Sequence, residues 1–151
     1  SWWLVAALGF SLLGDVYLML PGNFFTAGLA AFLVAHLAYV ADFDAGFGLR
    51  LLWFVIVGGV SYFVVARRIL GSIEDQKMRP AVGLYMAVLC FMVGSAIASA
   101  SIPAAVGALL FLASDTLLAW DRFVQPFPHS RVMVMVTYHL GQLLLVAALR
   151  S

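Results

Sequence analysis

Long apolar runs alternate with short polar breaks along this chain. Roughly 20 mainly apolar residues let an α-helix cross the hydrocarbon of a bilayer. Six stretches meet that requirement: residues 2–20, 24–41, 48–66, 80–100, 103–120 and 131–149. The breaks carry turn formers, among them Pro21-Gly22-Asn23, the stretch from Asp42 to Gly46, and Pro126 with Pro128. Residues 67–79 form the most polar break, and Pro80 behind it suits the first turn of a helix. Ser101-Ile102-Pro103 makes a tight turn into the fifth helix. Short connections make neighbours in sequence antiparallel neighbours in space. The pattern predicts an all-α, polytopic membrane bundle of six transmembrane helices, one domain over residues 1–151.

Composition agrees. The chain is 65% hydrophobic and 10% charged, where soluble domains average about 45–50% and 25%. A net charge of +1 without a basic, aromatic-interleaved patch excludes a nucleic-acid partner. The one cysteine, Cys90, lies in an apolar run and cannot form an internal disulfide. The first run has no basic flank and contains Asp15, so it reads as a span, not a signal peptide. The chain opens on Ser1 without Met, and a trimmed N-terminus is expected. Trp2, Trp3, Trp53 and Trp120 near helix ends read as an interfacial belt. Gly94 with Ala98, and Ser95 with Ser99, read as helix-packing pairs.

Lys and Arg orient the spans. The breaks after the first, third and fifth helices share one side, with Arg67, Arg68, Lys77, Arg79, Arg122 and Arg131; the other side has Arg50 and Arg150. The first side is therefore expected in the cytoplasm. These basic residues set topology, and Arg122 and Arg131 are also candidates to hold a lipid phosphate.

Against this background two carboxylates stand out. Asp15 in Ser11-Leu12-Leu13-Gly14-Asp15 and Asp115 in Ala113-Ser114-Asp115 sit inside apolar runs. An ionised Asp near the bilayer centre costs at least ~2.5–3.5 kcal/mol, which only a cavity, a partner or another helix offsets. Each lies about six residues before the same end of its helix, roughly 9 Å deep. Tyr138 has a similar depth, and Gln142 lies one turn further on its face. Tyr85 enters from that side, while His36 and Tyr39 lie deeper. One cavity open to the cytoplasmic leaflet is expected, lined by Asp15, Asp115, Tyr85, Tyr138, Gln142 and His36. Tyr39, Ser11, Ser114 and Arg122 complete the candidate substrate-contacting set, although Ser114 cannot share the face of Asp115.

Two carboxyls in an apolar site divide naturally into a general acid and a general base. Glycosidases cleave acetals this way through an oxocarbenium-like state, and a vinyl ether needs a related pair. Proton or ion conduction and helix-to-helix hydrogen bonding remain alternatives. His36 fits a structural, a water-positioning or a metal-ligand role. Asp15, Asp115 and His36 are three potential zinc ligands, but no HExxH-type spacing supports a metal, and no cofactor is expected. Nor is there a GxSxG elbow.

Ser11-Leu12-Leu13-Gly14-Asp15, Ala35-His36-Leu37-Ala38-Tyr39, Leu84-Tyr85-Met86-Ala87, the stretch from Gly107 to Asp115, and Tyr138-His139-Leu140-Gly141-Gln142 together resemble the YhhN-like lysoplasmalogenase family. The resemblance spans nearly the whole chain. It implies an eight-helix membrane hydrolase, two of whose N-terminal helices are missing here, one of them usually opening with Lys-Pro. It further implies cleavage of the vinyl ether of a lysophospholipid substrate, lysoplasmalogen, with Asp15 and Asp115 as the catalytic pair. The products are a fatty aldehyde and glycerophosphoethanolamine or glycerophosphocholine, and the expected location is the bacterial inner membrane. An intramembrane aspartyl protease competes through Gly14-Asp15, but its Tyr-Asp partner motif is missing. A lipid-binding protein or small transporter is the non-enzymatic alternative; no inverted repeat supports the transporter.

Overall fold

The computed structural model describes residues 1–150. Among the described residues six helices are long and apolar enough to cross a membrane: α1 Trp2–Met19, α2 Phe25–Asp42, α3 Phe47–Ser72, α4 Met78–Ala98, α5 Ile102–Val124 and α6 Ser130–Leu149. Among the described residues no strand occurs. The protein is a multi-pass membrane helix bundle.

Local chemistry sets the ends. Ser1 Oγ accepts from the Leu4 amide and Ser101 Oγ from the Ala104 amide, each at 3.3 Å. These satisfy amides that a helix start leaves unpaired. Pro103 occupies the first turn of α5, where its missing N–H costs nothing. Behind α4 the chain reverses through Ala100 at φ 60°, a left-handed conformation more often given to glycine.

Two helices run further than hydropathy predicts. α3 continues past Ala66 to Ser72, and α5 past Trp120 to Val124. Each passes through a π turn, Tyr62–Ala66 and Trp120–Val124 respectively. The polar break after α3 thus shrinks to residues 73–77. Hydropathy marks where lipid ends, whereas the backbone stays hydrogen-bonded while long side chains such as Arg67 and Arg68 reach toward the headgroups.

α1 packs against α2, α3 against α4 and α5 against α6, with α4 also touching α2 and α5. Without a hydrophobic driving force between helices in lipid, close backbone approach has to hold such pairs, and glycines permit it. A Cβ on Gly94 would lie 2.8 Å from the Phe54 amide nitrogen of α3, and Cβ atoms on Gly107 and Gly141 would each lie 2.9 Å from the other's carbonyl oxygen. Ser95 and Ser99 return their hydroxyls to the α4 backbone at Phe91 and Ala96. Tyr39, Leu89, Met92, Val93 and Phe111 fill the centre, while Val55, Phe63 and Leu143 face outward, as a bilayer allows.

Arg50 does more than mark a side of the membrane. Its guanidinium donates to the carbonyls of Val40 (2.9 Å), Phe43 and Ala45 (3.1 Å), tying α3 to the end of α2. Hydrogen bonds from a charged donor are worth about 1.5–3 kcal/mol. Arg50→Ala is expected to cost about that much stability, measurable as a lower unfolding temperature in detergent. An unchanged temperature would reduce Arg50 to a topology signal.

Candidate active site

Asp15 and Asp115 each end a chain of hydrogen bonds. Tyr138 on α6 donates to Asp15 Oδ2 at 2.8 Å, and Gln142 Nε2, one turn deeper, donates to the Tyr138 hydroxyl at 3.1 Å. Gln142 Oε1 in turn accepts from the Tyr39 hydroxyl of α2. The direction Tyr39 to Gln142 to Tyr138 to Asp15 is therefore fixed throughout and delivers a donor to the carboxylate.

The second chain has the same logic. Tyr85 on α4 donates to Asp115 Oδ2 at 2.8 Å, and His36 Nε2 lies 2.9 Å from the Tyr85 oxygen. A phenol has one hydrogen, and Tyr85 gives it to Asp115. His36 must then be the donor through Nε2–H, which also lies 3.5 Å from Asp115 Oδ2. Both chains stop at Oδ2, so among the described residues Oδ1 of each aspartate accepts no hydrogen bond.

An aromatic group joins the chains. Phe111, one turn before Asp115, packs edge-to-face on His36 at 5.0 Å and on Tyr138 at 5.2 Å. Phe32, one turn before His36, does the same to Tyr138 at 5.9 Å. Its ring occupies the place where Gly14 lacks a side chain, since a Cβ there would lie 2.6 Å from it. Gly14 thus lets α2 press against α1 beside Asp15.

A narrow apolar cleft of about 40 Å³ runs between α1, α2, α4 and α5, with Tyr85, Asp115 and Thr116 as polar wall residues. Phe32 is part of its wall and packs on Tyr138, the donor to Asp15. Of the residues expected from depth to share one cavity, Tyr85 and Asp115 line this cleft. Depth along a helix says nothing of rotation about it, and the rotation turns Asp115 onto the wall of the cleft.

The other expected residues divide. Ser11 is fully buried, and neither its Oγ nor His36 Nδ1 has a protein partner among the described residues. Ser114 spends its hydroxyl on the Val134 carbonyl at 3.1 Å and pins α5 to α6. Arg122 is exposed and lies over the Phe25 ring, 3.9 Å from its centroid. Sequence reasoning missed Phe32, Phe111 and Thr116. The i, i+4 spacing of Phe32 to His36 and of Phe111 to Asp115 was the available signal.

A bundle of membrane helices with two hydrogen-bonded intramembrane aspartates defines the class of this protein. It belongs to the YhhN family, whose sequence model matches residues 1–149. Among its relatives, the lysoplasmalogenase TMEM86B of Homo sapiens is 40% identical, covering 98% of this chain and 64% of the relative. The lysoplasmalogenase TMEM86A of Bos taurus is 34% identical over 91% of this chain and 61% of its own length. The lysoplasmalogenase TMEM86B of Mus musculus is 36% identical over 100% of this chain and 65% of its own. The chain thus spans a little under two thirds of these relatives. No solved structure matches it.

Proposed function

We propose that the protein is an intramembrane hydrolase of the vinyl ether bond in lysoplasmalogens. It releases a fatty aldehyde together with glycerophosphoethanolamine or glycerophosphocholine. The observation that carries this reading is the pair of aspartates, each held at Oδ2 by a tyrosine and each with Oδ1 unengaged, one of them on an apolar cleft. The lysoplasmalogenase names of its relatives support the substrate class.

In this reading the alkenyl chain enters the cleft and its double bond lies against Asp115. Protonated at Oδ1, Asp115 delivers that proton to the β-carbon of the vinyl ether. The π electrons form the new C–H bond and leave an oxocarbenium ion at the carbon next to oxygen. Water adds to that carbon, and Asp15, held in place by Tyr138, takes the proton lost by the water. The hemiacetal then breaks its bond to the glycerol oxygen: its hydroxyl gives its proton to Asp115 as the C=O forms, and the glycerol oxygen takes the proton held by Asp15, giving aldehyde and alcohol and restoring both carboxyls. His36 and Tyr85 orient Asp115; Gln142 and Tyr39 orient Tyr138. A carboxyl pair with split roles works only where one is protonated and the other ionised. The rate is therefore expected to rise with pH as the base ionises and to fall again as the acid loses its proton.

Purified protein mixed with a lysolipid extract is expected to remove lysoplasmalogens and release fatty aldehydes, read by mass spectrometry. Because water supplies the aldehyde oxygen, turnover in ¹⁸O-water should label the aldehyde, after correction for its own exchange. Aldehyde formed without label beyond that exchange would rule out this route.

A further inference from the structure

Three spaces in the bundle meet end to end. The cleft of Asp115 shares Leu18 and Phe25 with a polar recess at the basic end, built from Tyr17, Asn23 and Arg122. On its other side it shares Met86, Leu112 and Thr116 with a groove of about 250 Å³ between α3, α4 and α5. Gly58, Gly59 and Cys90 line that groove, beside the outward-facing Val55. The three spaces differ in chemistry. The recess holds a cation: the Arg122 guanidinium rests on the face of Phe25 and has no carboxylate or hydrogen-bond partner among the described residues. The groove is apolar and opens sideways toward lipid.

We propose that these spaces form one track for a single-chain amphiphile carrying a phosphate. The phosphate pairs with Arg122, the junction of head and chain lies at Asp115 and Tyr85, and the hydrocarbon turns past Met86 into the groove. Arg122 and Asp115 lie seven residues apart on α5, about 10 Å of helical rise, a span that a glycerol unit and an arginine side chain together cover. The planar guanidinium suits a phosphate, and stacking on Phe25 aims it without consuming its donors. On the apolar side, a groove that continues the cleft gives a long chain van der Waals contacts that a short one cannot reach. Gly58 and Gly59 keep that groove open: a Cβ on Gly59 would meet nothing within 4 Å. The middle of the track rests on the hydrolase reading; its two ends do not.

The test measures binding of inert ligands, so that it stands apart from turnover. The probes are a 16-carbon 1-alkyl lysophospholipid, its 8-carbon counterpart, and a 16-carbon 1-alkylglycerol without phosphate, each titrated by native mass spectrometry onto protein in nanodiscs. Arg122→Gln is expected to weaken both lysophospholipids about tenfold or more and to leave the alkylglycerol unchanged. Gly59→Leu places its Cβ in open space and replaces a poor helix former by a good one. It is expected to weaken the 16-carbon ligands several-fold and to spare the 8-carbon one. Parent-like binding of all three probes to both variants would overturn the track. So would a Gly59→Leu variant whose only change is its oligomeric state, since the groove then seats a second copy of the chain. Binding that follows the expected pattern in a protein that hydrolyses no vinyl ether would leave the track standing and remove the catalytic reading.

Discussion

Asp115→Asn and Asp15→Asn are each expected to lower vinyl ether turnover by about 10²–10⁴-fold while the bundle stays folded. Asparagine keeps the shape of aspartate and still accepts the tyrosine hydrogen bond at its carbonyl oxygen, so the links from Tyr85 and Tyr138 survive. What it lacks is the second carboxyl oxygen that can give or take a proton, because an amide nitrogen stands in its place. Residues that act as a unit lose nearly everything singly, so the double variant should be scarcely worse than either one. Tyr138→Phe and Gln142→Ala should cost less, because they orient a reacting group and do not themselves react. The measurement is aldehyde release against time, with circular dichroism as the check on folding. Near-parent rates in both Asn variants would make the aspartates structural.

Gly141→Leu is expected to be among the most disruptive changes outside the aspartates. Any Cβ at this position would lie 2.9 Å from the Gly107 carbonyl oxygen and 3.2 Å from the Phe111 amide nitrogen. The opposing atoms are backbone, so no rotamer change relieves the contact and α6 must move off α5. Overpacking costs roughly 1–3 kcal/mol where side chains yield, and the upper end or more is expected here. Activity should fall with stability, because Tyr138 and Gln142 flank Gly141 and the Ser114–Val134 bond crosses the same seam. Thermal unfolding in detergent, with Gly141→Ala as the intermediate case, measures it. A leucine variant as stable as the parent would mean that α5 and α6 do not meet there.

The spans were legible because a membrane helix writes its length into uninterrupted apolar sequence. Their ends were less so. In the turn from Arg67 to Ser72 only Ile69 and Leu70 are apolar, too few to extend a hydropathy signal past two arginines, and no residue type announces the π turns at Tyr62 and Trp120. Depth placed Asp15, Asp115, Tyr85 and Tyr138 at one level, and the structure pairs all four by hydrogen bonds. Which tyrosine meets which aspartate depended on helix rotation and on which helices are neighbours, and one chain's residue spacing contains neither. The roles of Ser114 and Phe32 were hidden for the same reason. Their partners, the Val134 carbonyl and the gap left by Gly14, are features of other helices.

The π turn at Trp120–Val124 carries one residue more than an α turn would. Successive residues of an α-helix point about 100° apart, so the surplus residue sets the phase of whatever lies within and beyond it. Arg122 and Phe123 reach Phe25 from inside this turn. The constraint on this segment is therefore one of counting as much as of chemistry. Removing a single residue between Ala119 and Gln125 leaves Asp115 where it is and the remaining side chains intact. Yet it swings the end of α5 by about a quarter turn and carries the arginine away from the ring beneath it.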